Sequence, residues 1–399
     1  MAHVVIVGAS VAGVRTAQAL RMQGFDGPIT MIGEEIHHPY DKPPLSKEQL
    51  AADAPETGQA LLTTEELDQL DVDLHLGVRA TGVDPVSKVV HTGSGDHVYD
   101  HLVIATGVSP RTLPGSDLAG VRTVRTSDDA AFLRDRLSST PRVVVIGAGF
   151  IGAEFAAAAS AQGCQVTIVE AQATPLSHLL GDRVGDRLAQ LHAEHGVAVR
   201  TSARVDHFVG EAAVEGVALA DGEVLAADLV VVGIGATPTT DWLVDSGLPI
   251  DDGVECGADL RVIGHPEIFA AGDVARWPHA HYGEPIRIEH WTNANEHGAL
   301  VAASIMGMPT PRAQLPYVWS DQYGVRIQIV GLPARGELAH LGGEGPQDLI
   351  AVYADASGTV VGGVVVDDSR TFMKLRKAIT KGLAAADLEP PLAPAAVHA

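Results

Sequence analysis

Four consecutive apolar residues, Val4-Val5-Ile6-Val7, run into Gly8, and 139 positions on Val143-Val144-Val145-Ile146 run into Gly147 in the same way. A strand with no polar position along it is buried on both faces, the pattern of a parallel sheet layered between helices. Each run is followed by an Ala-containing helical stretch that ends on a glycine, Gly24 or Gly163, in both copies 16 residues after the first glycine. A second apolar strand follows, Ile29 to Ile32 or Val166 to Val169. Further on, each copy predicts a hairpin at a turn (Thr92-Gly93-Ser94-Gly95-Asp96, Asp221-Gly222) and a closing strand (Leu102-Val103-Ile104, Leu229-Val230-Val231-Val232) that runs on to Pro110 or Pro238. The chain thus contains a duplication, two βαβ units each with a small antiparallel insert.

After Pro238 come one more apolar strand, Ile268-Phe269-Ala270-Ala271-Gly272-Asp273, and a helical run from about Thr292 to Met306. From Tyr317 the pattern changes to short β-rich runs, Val325 to Val330, Leu349 to Tyr353 and Val360 to Val366, with one helix near 370–383. The fold class expected is α/β, two related doubly wound dinucleotide-binding domains plus a C-terminal α+β domain. The expected boundaries are 1–110 and 241–316 for the first domain, 111–240 for the second and 317–399 for the third. The Pro- and Ala-rich stretch 389–394 predicts no element.

Charge narrows the function classes. Twenty-seven Lys and Arg against 50 Asp and Glu leave −23, which argues against nucleic acid and anionic membrane as partners. With 46% hydrophobic and 19% charged residues the chain is nonetheless a folded one. Two cysteines, Cys164 and Cys256, lie 92 positions apart, so neither a disulfide framework nor a Cys metal cluster is expected. No metal site is expected among the scattered histidines either, His37-His38 included. A cytoplasmic location is expected, because no apolar run reaches the ~20 residues of a span and the first run has no basic flank.

The chemistry sits in the two glycine loops. A strand turning through Gly-x-Gly-x-x-Gly into a helix turns backbone N–H groups and the positive helix end toward a pyrophosphate. Gly147-Ala148-Gly149-Phe150-Ile151-Gly152 fits fully, and Glu170, 18 residues beyond Gly152, can accept from a ribose 2′-hydroxyl and repel a 2′-phosphate. That selects NADH over NADPH. The first loop, Gly8-Ala9-Ser10-Val11-Ala12-Gly13, carries Ser10 at the middle position. In register with Glu170 stands Gly33, so the ribose ligand there is Glu34 or Glu35, with Glu34 favoured.

Together with Ala105-Thr106-Gly107 and the run ending in Gly272-Asp273, these loops make the chain resemble the FAD-dependent pyridine-nucleotide oxidoreductases of the glutathione-reductase fold. Within that group, His38-Pro39-Tyr40-Asp41-Lys42-Pro43-Pro44-Leu45-Ser46-Lys47, Glu289-His290-Trp291-Thr292-Asn293-Ala294 and Trp319-Ser320-Asp321-Gln322-Tyr323 resemble the NADH-dependent ferredoxin reductases that serve Rieske oxygenases and cytochrome haem monooxygenases. The thiol-disulfide members need a Cys within the segment that here reads Asp41 to Lys47, and none stands there.

The resemblance implies FAD pyrophosphate on Gly8, Ser10, Ala12 and Gly13, with Ala105, Thr106, Gly107 and Ala80 around the nucleotide. It also implies Gly272 and Asp273 at the ribityl chain and phosphate, Glu289, His290 and Trp291 beside the isoalloxazine, and Lys42 and Arg125 as cations for the flavin phosphates. NADH would lie on Gly147, Gly149, Ile151, Gly152, Glu170 and Gly235. Lys47 and Glu154 are the expected reactive pair, a lysine toward the flavin and a glutamate that pairs with it and positions nicotinamide. Hydride transfer is the cofactors' chemistry, and the protein supplies orientation and electrostatics.

The implied activity passes electrons from NADH to FAD as hydride and then singly to a small acidic 2Fe-2S ferredoxin. An acidic ferredoxin needs a local basic surface on so acidic a chain. Arg370, Lys374, Lys377 and Lys381, at spacings of 4, 3 and 4, lie on one helix face with Arg376 beside it. The alternatives are a reductase for rubredoxin, a radical or a quinone, or a flavoprotein of this fold with mainly an interaction role.

Overall fold

The computed structural model describes residues 1–55 and 57–388; the stretch 389–394 lies outside them. The chain divides into two compact units, the first made of Met1–Asp41, Thr57–Ser109 and Ala236–Gln314, the second of Lys42–Glu56, Pro110–Gly235 and Leu315–Ala399. The segment that begins at Lys42 therefore packs with the second unit, although it precedes the first unit's hairpin in sequence.

In the first unit Val4–Val7 pairs in parallel with Ile29–Gly33 on one side and with His101–Ile104 on the other. His265–Ala270 and Val72–Leu76 extend the sheet to either side, and Arg261–Val262 closes it at one edge. Both faces are covered, which is why the strand of Val4–Val7 reads as apolar throughout. The helices Val11–Met22 and Trp291–Ile305 cross so closely that a Cβ on Gly298 would meet the carbonyl carbon of Arg15 at 2.5 Å. The predicted hairpin is the three-stranded antiparallel sheet of Ala80–Asp84, Val89–Thr92 and Gly95–Val98.

The second unit repeats the plan. Arg142–Ile146 pairs in parallel with Gln165–Val169 and with Leu229–Val232, and the insert is the antiparallel sheet of Val205–Val209, Gly216–Leu219 and Val224–Ala226. The same unit holds the C-terminal antiparallel sheet, ordered Tyr317–Gln322, Val325–Gly331, Val360–Val366, Ile350–Ala354, Glu337–Gly342. Alternation along these strands splits their apolar side chains between two faces. Val330, Ile350, Val352 and Val365 pack under Phe372, Leu375, Ala378 and Ile379 of the helix Ser369–Lys381. Ile327, Ile329, Ala351 and Val364 pack against Val184, Leu188 and Leu191 of the helix Asp182–Glu194. The dinucleotide-type domain and the C-terminal sheet share that second core, and they cluster as one unit because of it.

Candidate functional site

In each dinucleotide-type sheet the central strand hands the chain to one neighbour and later receives it back on the other side, so the loop at its carboxyl end is a topological switch point. Gly8 to Gly13 and Gly147 to Gly152 occupy those two places. The first and last glycines of each loop are required by the protein itself. A Cβ on Gly8 would lie 2.1 Å from the Ala105 carbonyl oxygen, and one on Gly147 2.3 Å from that of Gly233; both residues have positive φ, 123° and 96°. A Cβ on Gly13 or Gly152 would lie 2.0 or 2.2 Å from the carbonyl oxygen of Gly8 or Gly147.

Gly149 differs, since its Cβ would find nothing nearer than the Gly233 oxygen at 3.9 Å. Its partner in the repeat is the serine Ser10, so neither packing nor backbone conformation demands a glycine at this middle position. What remains is open approach to the loop from outside. The helix starts agree: Ser10 and Gly149 cap Val11–Met22 and Phe150–Ala161 without any side-chain hydrogen bond and with no acid in the first turn. By contrast Thr64–Leu70 and Ser127–Leu137 start with complete capping boxes, and Asp368 caps Ser369–Lys381. Trp291–Ile305 also starts without a side-chain cap or a first-turn acid, so what sets the first two apart is the glycine loop before each, and a pyrophosphate fits those two starts. Ile151, in the first turn of the second helix, is 47% exposed, and Ala12, at the same place in the first, is buried.

At the strand ends the copies diverge. Glu170 is buried and accepts from the backbone N–H of Ala148 and of Gln172, both at 2.8 Å, one on each carboxylate oxygen. It thereby ties the strand to the glycine loop and keeps a lone pair on each oxygen for a further donor. In the first copy Ala9 fills that space, because a Cβ on Gly33 would meet its Cβ at 2.7 Å. Glu34 is exposed and paired with Arg79 at 3.1 Å, while Glu35, half-buried, accepts from the Tyr40 hydroxyl.

The remaining first-unit candidates surround the same sheet. Ala105 donates its N–H to Val7, Thr106 donates its hydroxyl to the Thr239 carbonyl at 2.9 Å, and Gly107 has φ 65°. Ala80 is buried at the start of its strand. Gly272 and Asp273 form a one-turn helix, and the Gly272 N–H donates to His297 Nδ1 at 3.1 Å. That contact leaves the His297 proton on Nε2, which is buried without a hydrogen-bond partner while the ring meets Trp277 edge-on at 4.3 Å. Desolvation, with repulsion from His279 second, holds His297 at about 3. His290 caps Trp291–Ile305 and is pushed down to about 4 by desolvation. Glu289 is exposed and pairs with Arg287, and Trp291 donates its indole N–H to Asp41 at 2.6 Å.

The second unit holds the charged pair. Lys47 Nζ lies 3.0 Å from Glu154 Oε1, with both side chains nearly buried. Glu154 projects from the helix that opens at the Gly147 loop, and Lys47 follows the short helix Pro43–Ser46. Two hydroxyls join them: Ser46 donates to Glu154 Oε2 at 2.5 Å and Ser320 to Oε1 at 2.7 Å. Gln322 donates its amide to Ser320 Oγ at 3.0 Å. Three segments that are remote in sequence thus meet on one carboxylate, and of these side chains the family resemblance points only to Lys47 and Glu154. The missing signal was the alternation in Tyr317–Gln322, whose Ser320 and Gln322 are buried on one side. Lys42 donates to the backbone oxygen of Arg125 at 3.3 Å, so those two candidates also come together. Gly235, with φ 89°, ends the unit's second segment.

On the helix Ser369–Lys381, Arg370, Lys374, Lys377 and Lys381 are all exposed opposite the buried face, and Met373 among them is 57% exposed. Both cysteines are buried free thiols, and burial pushes the Cys256 thiol up to about 12. Among the described residues no cluster of His, Cys, Asp or Glu could hold a metal ion, and no helix is long and apolar enough to cross a membrane.

Residues 2–298 match the model of the pyridine nucleotide-disulphide oxidoreductase family, and residues 317–391 match a reductase C-terminal family. Rhodocoxin reductase of Rhodococcus erythropolis is 34% identical over 94% of this chain and 88% of its own length. The ferredoxin–NAD(+) reductase component of the anthranilate 1,2-dioxygenase system of Burkholderia cepacia is 36% identical, over 95% of this chain and 94% of its own. Among solved structures, a chain of the covalent putidaredoxin reductase–putidaredoxin complex superposes with a TM-score of 0.91 at 32% identity, covering 96% of this chain and 94% of that one.

Proposed function

This chain belongs to the pyridine nucleotide-disulphide oxidoreductase family, and on that premise we propose that it is an NADH-dependent, FAD-containing ferredoxin reductase acting in the cytoplasm. Its acceptor in this reading is a small 2Fe-2S ferredoxin that feeds an oxygenase or a haem monooxygenase. The observation that carries the reading is the Lys47–Glu154 pair, a nearly buried charge pair whose glutamate lies on the helix that opens from the second glycine loop. No cysteine accompanies it, and the chain's two thiols are buried singly elsewhere. A member of this family without a dithiol beside its charged pair has to pass electrons straight to an external acceptor.

In this reading the uncapped helix start after Gly8 holds the FAD pyrophosphate, and the start after Gly147 holds that of NADH. Glu170 keeps acceptor capacity for an adenosine ribose hydroxyl, and its charge disfavours a 2′-phosphate. Glu154 orients the nicotinamide, and Lys47 supplies positive charge where the hydride is delivered. The flavin, when bound, supplies the conversion from a two-electron donor to a one-electron acceptor. The exposed row of Arg370, Lys374, Lys377 and Lys381 offers an acidic ferredoxin a basic landing place on a protein of net charge −23.

The deciding experiment follows NADH-driven cytochrome c reduction by the yellow holoprotein with and without an added 2Fe-2S ferredoxin. Strong dependence on the ferredoxin is expected. Equal rates with and without every carrier tried, rubredoxin included, would overturn the assignment.

A further inference from the structure

We propose that Ser320 and Gln322, side chains of the C-terminal sheet, are positioning residues for Glu154, so that this sheet helps to set the rate at which NADH delivers hydride; the inference rests on Lys47 and Glu154 being the reactive pair. Proton counting fixes the direction of the chain of hydrogen bonds. A serine hydroxyl has one proton. Ser320 spends it on Glu154 Oε1 at 2.7 Å, so toward Gln322 its oxygen can only accept, and the donor at 3.0 Å has to be the Gln322 amide nitrogen.

The opposite amide orientation would set two acceptors against each other. The orientation that the network requires leaves Gln322 Oε1 buried with no hydrogen-bond partner. An orphaned buried acceptor costs about 1–3 kcal/mol, and an apolar residue of the same size would avoid that cost. Gln322 is thus a poor choice for packing alone and a good one for orienting Ser320.

The geometry gives the relay a rigid base. Ser320 and Gln322 are two residues apart on one face of Tyr317–Gln322, whose register is fixed by the pairs Ser320 with Ile327 and Gln322 with Val325. Glu154 Oε1 then receives Ser320 and Lys47 together, while Oε2 receives Ser46. Without the Ser320 hydroxyl, one side of the carboxylate is held by Lys47 alone. The carboxylate can then turn about its terminal torsion and take the ammonium with it.

Four variants test this in the holoprotein: Ser320→Ala, Ser320→Thr, Gln322→Met and Glu154→Gln. Rapid mixing with saturating NADH should show flavin reduction slowed about tenfold in Ser320→Ala, the worth of one hydrogen bond to a charged group. Ser320→Thr should restore the rate. In the Glu154→Gln background, Ser320→Ala should add less than about twofold, since residues that act as a unit are not additive. Gln322→Met is the sharpest arm, because removing the orphan should leave the melting temperature at or above that of the parent while reduction slows about threefold.

Equal rates for Ser320→Ala and the parent, or full additivity with Glu154→Gln, would overturn the proposal. So would a Gln322→Met protein that loses stability but not rate. If NADH fails to reduce the flavin of the parent protein, the reading of the pocket fails instead. Coupling between Ser320→Ala and Glu154→Gln in thermal unfolding still decides the positioning in that case, and additive unfolding would refute it.

Discussion

Replacing Gly149 with serine and, separately, Gly152 with alanine separates a glycine that the fold can do without from one that it requires. A Cβ at position 152 would lie 2.2 Å from the Gly147 carbonyl oxygen and 3.3 Å from Val145 Cγ1. The obstacle is backbone, and that backbone is held in a positive-φ turn at Gly147, so the loop has to move as a whole. Overpacking of this kind costs about 1–3 kcal/mol, and at about 2–4 °C per kcal/mol for a unit of roughly 200 residues the melting temperature should drop by about 2–12 °C.

At position 149 the nearest atom is 3.9 Å away, and serine is as good an N-cap as glycine or better by a few tenths of a kcal/mol. Gly149→Ser should therefore melt within about 2 °C of the parent. Its NADH Michaelis constant should rise by no more than about threefold, with the maximal rate kept, because Ser10 fills the same place in the first loop, where the proposed reading seats a pyrophosphate as well. Differential scanning calorimetry and steady-state ferricyanide reduction read the two effects. A Gly149→Ser protein as unstable as Gly152→Ala, or one whose NADH Michaelis constant rises about tenfold or more, would refute the reasoning.

Lys47→Ala leaves Glu154 with two serine donors and no countercharge; stopped-flow reduction by NADH should slow about tenfold to a hundredfold, and an unchanged rate would remove Lys47 from the pocket. The double charge reversal Lys374→Glu with Lys377→Glu should raise the ferredoxin Michaelis constant, most at low salt, and leave ferricyanide reduction alone; an equal response of both acceptors would move the docking surface elsewhere. His192 donates to or accepts from the Tyr323 hydroxyl at 2.7 Å, and desolvation, followed by repulsion from His195, holds it at about 4 against an ordinary 6.5. The unfolded chain therefore takes up the proton first, so the stability linked to His192 falls as pH drops from 6.5 toward 4, and this contribution is level below that. His192→Gln should flatten part of that slope in melting temperatures measured across the window, and an unaltered slope would contradict it.

The strands and loops were legible because they are local. Val4 to Val7 and Val143 to Ile146 are apolar at every position, and each run ends at a glycine whose Cβ would strike a carbonyl oxygen. The basic row from Arg370 to Lys381 was legible by helical period, and Phe372, Leu375 and Ile379 are buried on its other side. Glu170 was legible as an acid at a strand end, but its grip on the Ala148 N–H was not, since that depends on how the strand meets the loop. The Lys42–Glu56 segment was assigned by its place in the chain to the first domain, whereas its contacts put it in the second unit.

The sequence by itself determined the duplicated α/β plan and the two glycine loops, while Lys47 and Glu154, on which the proposed chemistry turns, came from the family resemblance. Period, glycine placement and charge are properties of neighbours along the chain, and they act before any distant segment arrives. Tertiary structure alone decided what surrounds the Glu154 carboxylate. Ser46, 108 positions before it, reaches it because the short helix Pro43–Ser46 packs on the helix Phe150–Ala161, and Ser320, 166 positions after it, because the strand Tyr317–Gln322 packs on that same helix. A hydroxyl on a strand carries no mark in the sequence that says which carboxylate it will serve; burial does, by leaving each donor and acceptor no partner but the one the fold brings.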